Sequence, residues 1–337
     1  MKKVKLALLG ATGAVGSEML KILAERDFPV SSLKLLAAPD EVGTRINWKG
    51  MDFFTEEAKP ESFDGTDITL VAVGNSVSRK LSPEAAKRGS VVIDNSSAFR
   101  LDPRVPLVVP EVNPEDIKWN HGIIANPNCS TIIAVVPLYP LHKAAGIKRI
   151  IASTYQAVSG AGRMGITELE EQTRDYLDGN PLKETVFPHR IAFNIIPHID
   201  DFQPNGYTKE ELKMLNESRK ILHEPGLKVN CTCARVPVFR SHSESITIET
   251  EEKLSPAMAR EILGDAPGIK LVDDPAALMY PMPADSSDQD LIYVGRIRED
   301  TSAEKSMSLW VCGDQIRKGA STNAVQIAEL VAKDMIL

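Results

Sequence analysis

The stretch Val4-Lys5-Leu6-Ala7-Leu8-Leu9-Gly10-Ala11-Thr12-Gly13-Ala14-Val15-Gly16, continued by Ser17-Glu18-Met19-Leu20-Lys21-Ile22-Leu23, decides the fold. It reads as an apolar run of strand length, a glycine turn and an amphipathic helix. Glycines at 10, 13 and 16 allow a tight turn and close backbone approach to a pyrophosphate. The helix N-terminus then faces the negative charge. The spacing is G-x-x-G-x-x-G rather than G-x-G-x-x-G. A plain glycine turn between a strand and a helix therefore stands beside the dinucleotide reading until the neighbouring segments are read.

Further strand-like runs lie at 33–36, 68–73, 91–94 and 122–124, and 82–87 reads as helix between two of them. Near-continuous apolar strands alternating with helices predict an α/β domain with a parallel sheet covered on both faces. Ligand is expected at the carboxyl ends of the strands, where Gly74, Asn95-Ser96-Ser97 and the turn at Cys129 fall. Beyond Ala145 the pattern changes. Alternating strands are predicted at 149–155, 229–238, 245–250 and 290–297, with helices at 165–177 and 208–223, which is an α+β arrangement. An amphipathic helix is predicted at 322–335. It is expected to return to the first domain.

The length of 337 residues suits about two domains of ~150 residues. No apolar run approaches the ~18 residues of a membrane helix. The basic start at Lys2, Lys3 and Lys5 runs into glycines and Glu18, which is not the shape of a signal peptide. A net charge of −7 without a basic block argues against nucleic acid. Four cysteines make no disulfide framework. Cys231 and Cys233 have no second pair at zinc spacing and are read as strand residues. These features together predict a cytoplasmic protein.

Asn126-Pro127-Asn128-Cys129-Ser130 sits between the apolar segments 122–125 and 131–136. A free cysteine is usually buried and inert. This one stands at the end of a predicted strand and the start of a predicted helix, beside the expected dinucleotide site. A helix N-terminus favours a thiolate there.

"GATGAVG", "IDNSSAFR", "NPNCSTI", "TYQAVSGAG", "FNIIPHID", "RVPVFRSHSE" and "GDQIRKGASTNAVQIAEL" together resemble the aspartate-β-semialdehyde dehydrogenase family of the bacterial type, over essentially the whole chain. The resemblance implies a Rossmann-type dinucleotide-binding domain at 1–128 with 318–337, and an α+β catalytic and dimerisation domain at 129–317. It implies reversible reduction of L-aspartyl-4-phosphate to the semialdehyde with release of phosphate, in lysine, methionine and threonine synthesis. Cys129 is the implied nucleophile, forming a thioester that accepts hydride. His242 is the implied acid/base partner, an imidazole titrating near neutral pH. Gln156 orients the acyl group, and Asn128 supports the thioester oxygen. Arg235 clamps the substrate carboxylate and Arg100 the phosphate. Glu210 and Lys213 contact the amino group and the phosphate region. From spacing alone, those two could equally be a solvated i, i+3 surface pair. Thr208 and Glu211 have capping-box spacing. Arg235 and His242, seven apart, would point to opposite faces of one flat strand unless Pro237 breaks it.

For the cofactor, the resemblance points to Gly10, Thr12, Gly13, Ala14, Val15 and Gly16. It adds Gly74 and Ser96, then Ser159, Gly160 and Gln315. NADP is the family default. Asp40 and Glu41 stand where the family carries arginine and serine for the 2′-phosphate. An acidic residue roughly 20 residues past the glycine turn suits the free ribose hydroxyl of NAD instead. Asp40 is placed there, while Thr12, Arg45 or Lys49 could do the phosphate work. NADP and NAD both stay open. No metal is expected, since an acyl phosphate is already activated. A homodimer or tetramer is expected from the resemblance alone. Two alternatives stand beside this reading. An N-acetyl-γ-glutamyl-phosphate reductase would carry "NPGCY" around its cysteine. A non-catalytic dinucleotide-binding paralogue would have lost Cys129 or His242.

Overall fold

The computed structural model describes residues 3–334. The first two residues of the basic start and the end of the helix expected at 322–335 lie outside them. The chain forms two compact units, Met1–Asn128 with Ala320–Leu337, and Cys129–Gly319.

The first unit contains β1 (Val4–Leu9), α1 (Ala14–Glu25), β2 (Val30–Ala37), β3 (Arg45–Trp48), β4 (Met51–Phe54), β5 (Glu56–Glu57), β6 (Ile68–Val71), α2 (Asn75–Lys87), β7 (Val91–Asp94) and β8 (Ile123–Ala125). Its main sheet runs β5-β2-β1-β6-β7-β8, and each adjacent pair is parallel. The order reverses at β1, so a crevice opens at the carboxyl ends of β1, β2 and β6. Leu6, Ala7, Leu8 and Leu9 are buried in succession, as a strand covered on both faces requires. The glycine turn joins β1 to α1. Gly10 has φ +89°, and a Cβ there would lie 2.4 Å from the Ala72 carbonyl. A Cβ on Gly16 would lie 2.1 Å from the Gly10 carbonyl. Both positions exclude any larger residue.

α2 begins seven residues before the helix predicted at 82–87. Its buried face is built partly from Ser78 and Ser82, whose hydroxyls donate to the buried Asp94 carboxylate, so the apolar periodicity is interrupted. The β3–β4 hairpin packs Trp48 over α1, its indole N–H donating to the Leu20 carbonyl at 2.7 Å.

The second unit contains α3 (Cys129–Ala145), β9 (Ile147–Gln156), α4 (Arg163–Asp178), α5 (Lys209–Ile221), β10 (Lys228–Arg235), β11 (His242–Thr250), α6 (Pro256–Gly264), β12 (Ile269–Leu271), α7 (Pro283–Ser286), β13 (Ile292–Glu299) and β14 (Ser306–Gly313). After it, α8 (Thr322–Asp334) returns to the first unit. There Ala324, Ile327 and Val331 share one core with Leu8, Met19 and Ile22.

The second sheet is mixed, in the order β10-β9-β11-β14-β13-β12. α3, α5 and α6 cover one face. α3 is apolar on all sides because its residues from Ser130 to Leu138 are all buried. The other face, with Ser153, Tyr155, Ser245, Thr247 and Trp310, is half-exposed. The strand predicted at 229–238 stops at Arg235, two residues before Pro237, which has no N–H to give a ladder. β14 and α6 were not foreseen.

Candidate active site

Cross-strand register sets up the site. On the covered face of the second sheet, Arg235 stands opposite Gln156, and His242 opposite Gly313. One row deeper, Thr154 stands between Cys233 and Glu244. The break between β10 and β11 lets Arg235 and His242 meet on one face despite their odd spacing.

Cys129 is the first residue of α3, and its Sγ lies 3.5 Å from His242 Nε2. The Ala157 peptide holds the two residues beside it. Its N–H donates to His242 Nδ1 at 3.0 Å, and the preceding strand end lets its carbonyl accept from Arg235 Nη1 at 2.7 Å. Gly160 makes room for both side chains, since a Cβ there would lie 2.6 Å from Arg235 Nη1 and 3.3 Å from His242 Cε1.

The expected near-neutral titration of His242 is corrected by this geometry. Burial, and then the Arg235 cation, push the imidazole down to about 3. A neutral ring whose Nδ1 accepts a backbone N–H carries its proton on Nε2. That proton faces the Cys129 sulfur. His242 is therefore arranged as a hydrogen-bond donor to a thiolate and to negative charge developing beside it.

Gln156 is fixed at both ends of its amide. Thr154 Oγ1 donates to Oε1 at 3.0 Å, and Nε2 donates to Glu210 Oε1 at 3.1 Å. Its Nε2 also lies 3.4 Å from His242 Nε2. Glu210 is buried, not a solvated surface charge. Its other oxygen meets Lys213 Nζ at 2.9 Å, and Lys213 also reaches Asp200 at 2.9 Å. Burial lowers the Lys213 ammonium, but the Glu210 and Asp200 carboxylates outweigh it and hold the group above its ordinary range. Burial likewise pulls the Arg235 guanidinium down, against the Glu210 carboxylate. Buried cationic and anionic groups thus stand around one thiol, a set that complements a small zwitterion. Thr208 and Glu211 form the predicted capping box, and Glu211 also accepts the Cys233 N–H at 3.0 Å.

Sequence reasoning missed Thr154, Ala157, Asp200 and Glu244. Thr154 carried a signal, because it sits two residues from Gln156 on a strand and so shares its face. Ala157 acts through its backbone and carried none. Ser159 and Gln315 hydrogen-bond each other, and Gln315 Oε1 accepts the Ser241 N–H at 2.9 Å.

In the first unit, Arg100 is buried and its guanidinium donates to the Asn126 carbonyl at 2.9 Å and the Asn95 carbonyl at 2.7 Å, past the ends of β8 and β7. Asn128 is buried too. Ser96 accepts the Ala98 N–H, and Gly74 is the N-cap of α2. No side chain among the described residues caps α1, whose N-cap is Gly13, so the N–H groups of Ala14 and Val15 open a helix end suited to a pyrophosphate. A cleft of ≈ 520 Å³ lies at the carboxyl ends of β1, β2 and β6, with Leu9, Val73 and Leu81 as apolar walls. This combination fits the adenosine half of a dinucleotide. Glu41 lines the cleft. Asp40 is exposed and does not line it. Thr12 donates its hydroxyl to Glu41, while Arg45 pairs with Asp52 and Lys49 with Asp27.

Comparison with known proteins agrees with both units. The family model "Semialdehyde dehydrogenase, NAD binding domain" matches residues 5–120, and "Semialdehyde dehydrogenase, dimerisation domain" matches 138–318. These matches define the class, a nicotinamide-dependent semialdehyde dehydrogenase. An aspartate-semialdehyde dehydrogenase of Aquifex aeolicus is 53% identical, with 99% of each chain covered. One of Bacillus subtilis is 49% identical, with 97% of each covered. The crystal structure of aspartate semialdehyde dehydrogenase II of Vibrio cholerae, complexed with ASA, superposes with a TM-score of 0.97 at 45% identity and 99% coverage of both chains. The chain belongs to the aspartate-semialdehyde dehydrogenase family. No helix among the described residues is long and apolar enough to cross a membrane.

Proposed function

We propose that the chain reversibly converts L-aspartyl-4-phosphate to L-aspartate 4-semialdehyde through a thioester on Cys129. The observation that carries this is the Cys129 Sγ to His242 Nε2 approach of 3.5 Å beside the Arg235, Gln156 and Glu210 cluster. The Cys129 thiolate attacks the acyl carbon. A C–S bond forms, the acyl C–O bond breaks, and phosphate departs with the one proton the reduction consumes. A nicotinamide dinucleotide, held at the glycine turn of Gly10, Gly13 and Gly16, would supply the hydride. The C–S bond then breaks and returns the thiolate. His242 Nε2–H steadies the sulfur and the charge that develops on the carbonyl oxygen.

Arg235 takes the α-carboxylate as a fork, and Glu210 takes the ammonium. Arg100 and Lys213 take the phosphate. Asn128 and Gln156 orient the acyl oxygen. Residues 1–128 with 318–337 act as the dinucleotide-binding domain, using Gly10, Gly13, Gly16 and the helix end behind them. Residues 129–317 act as the catalytic and dimerisation domain, with Ser159, Gly160 and Gln315 toward the cofactor. The family default for that cofactor is NADP, whereas the acidic cleft supports NAD. We place the reaction in lysine, methionine and threonine synthesis, in the cytoplasm, carried out by a homodimer.

The test is phosphate-dependent oxidation of aspartate semialdehyde, followed at the nicotinamide absorbance with NADP and NAD in parallel. Cys129→Ala is expected to abolish turnover with an unchanged circular-dichroism spectrum. Normal turnover in that variant would overturn the mechanism.

A further inference from the structure

The cleft at the ends of β1, β2 and β6 carries an asymmetric charge pattern. Glu41 and Glu57 line it, and Lys80 on α2 is the cation that lines it. Glu41 ends a short 3₁₀ turn, Pro39–Glu41, directly after β2. The turn is pinned from outside, since the Glu41 carbonyl accepts the hydroxyls of Thr44 at 2.7 Å and of Thr55. The Glu41 side chain reaches back to the glycine turn, where Thr12 Oγ1 donates to Oε2 at 2.8 Å. Its Oε1 has no hydrogen-bond partner among the described residues.

We propose that Glu41, held by Thr12, selects NAD over NADP in this chain. The inference rests on the reading of the first unit as a dinucleotide-binding domain. An ionised carboxylate only accepts hydrogen bonds, so it matches the two hydroxyls of an unphosphorylated ribose. The same carboxylate repels a 2′-phosphate, which carries up to two negative charges and no proton to share. Glu57 also lines the cleft, but its carboxylate is paired with Lys59 at 2.7 Å, so the repulsion falls to Glu41. The basic residues that could offset it are engaged elsewhere. Arg45 pairs with Asp52 at 2.6 Å, Lys49 with Asp27 at 2.8 Å, and Lys34 donates to the carbonyls of Ser62 and Asp64. That leaves Lys80 as the lining cation, with Glu41 as the carboxylate that no cation pairs among the described residues. The discriminating residue is Glu41 rather than its neighbour Asp40, which is exposed and outside the cleft. Thr12 acts as a positioning residue, because its hydrogen bond stops the carboxylate from swinging out to water.

The test is calorimetric binding to the full-length protein, with NAD, NADP, adenosine 5′-monophosphate and adenosine 2′,5′-bisphosphate as probes. NAD is expected to bind at least about tenfold more tightly than NADP, the worth of one hydrogen bond to a charged group. The monophosphate should likewise exceed the bisphosphate. Glu41→Gln keeps the shape and removes the charge, so it should narrow the gap, and Thr12→Val should narrow it less. Equal or tighter NADP binding by the unsubstituted protein would overturn the proposal, and its loss in Lys80→Ala would name Lys80 as the phosphate clamp. Binding of the adenosine monophosphate with no discrimination at the 2′ position would also overturn it. Binding of none of the four probes would remove the dinucleotide reading itself, and the proposal with it.

Discussion

His242 and Glu244 stand two residues apart on one strand face, and both are fully buried. Burial acts oppositely on them. It keeps the imidazole neutral by lowering it from 6.5 to about 3. It keeps the Glu244 carboxyl neutral by raising it well above 4.5, and neither Glu244 oxygen has a hydrogen-bond partner among the described residues. For His242 the unfolded chain binds the proton first. Stability is therefore lost as pH falls from 6.5 toward about 3, at up to ~1.4 kcal/mol per pH unit. In urea titrations across that window, His242→Gln should show a shallower loss than the parent protein. An identical slope would mean the imidazole is solvated. Glu244 reverses the sign, because its contribution is present below 4.5 and lost as pH rises. Glu244→Gln should therefore gain stability over the parent at about pH 8 and lose that advantage toward about pH 4. Thr154 supports catalysis at one remove, through the 3.0 Å bond that orients the Gln156 amide. Thr154→Val should lower kcat about tenfold while costing only ~1 kcal/mol of stability, and Thr154→Ser should restore kcat. Equal loss in both variants would reduce Thr154 to packing. Cys129 and His242 could be picked out from the chain because their motifs are local. The protonation state of His242 could not, since Ala157, Arg235 and the burial that set it come from three other segments.

At the scale of elements, the glycine turn does the most positioning. Gly10 combines φ +89° with a 2.4 Å approach to the Ala72 carbonyl. Gly10→Ala should lower the melting temperature, at a cost of at least ~1 kcal/mol, and weaken dinucleotide binding together with it. A melt unchanged from the parent would show that the turn can relax. Strand–turn–helix could be read from residues 4–23 because apolar period and glycine spacing agree there. α2 was half-read because buried serines on Asp94 replace apolar residues on its inner face. The 208–223 helix was placed well by its capping box, yet the burial of Glu210 was not foreseen. A charge at i, i+3 from a lysine looks the same on a wet surface and over a packed sheet.

At the scale of the molecule, the second unit leaves one sheet face half-covered. Tyr155 and Trp310 meet there at a tilt of 38° with ring centroids 5.4 Å apart, and Thr247 bonds Ser308 at 2.8 Å. A flat polar-aromatic face of this kind suits a second copy of the same domain. Ser245→Arg in its centre should shift the protein toward monomer in light scattering, and an unchanged mass would move the interface elsewhere. Sequence alone determined the two-domain plan, the dinucleotide turn, the cysteine at a helix start and the family resemblance. Each is written in short segments, where periodicity, glycine spacing and contiguous motifs suffice. Tertiary structure decided what charge and burial do. It closed 113 positions between Cys129 and His242 to 3.5 Å. It buried Glu210 of a surface-like pair and left Lys213 half-buried beside it, and brought Glu41 rather than Asp40 to the cleft. Solvation and electrostatic shifts depend on every group packed around a site. Those groups arrive from distant parts of the chain, so no local pattern can carry them.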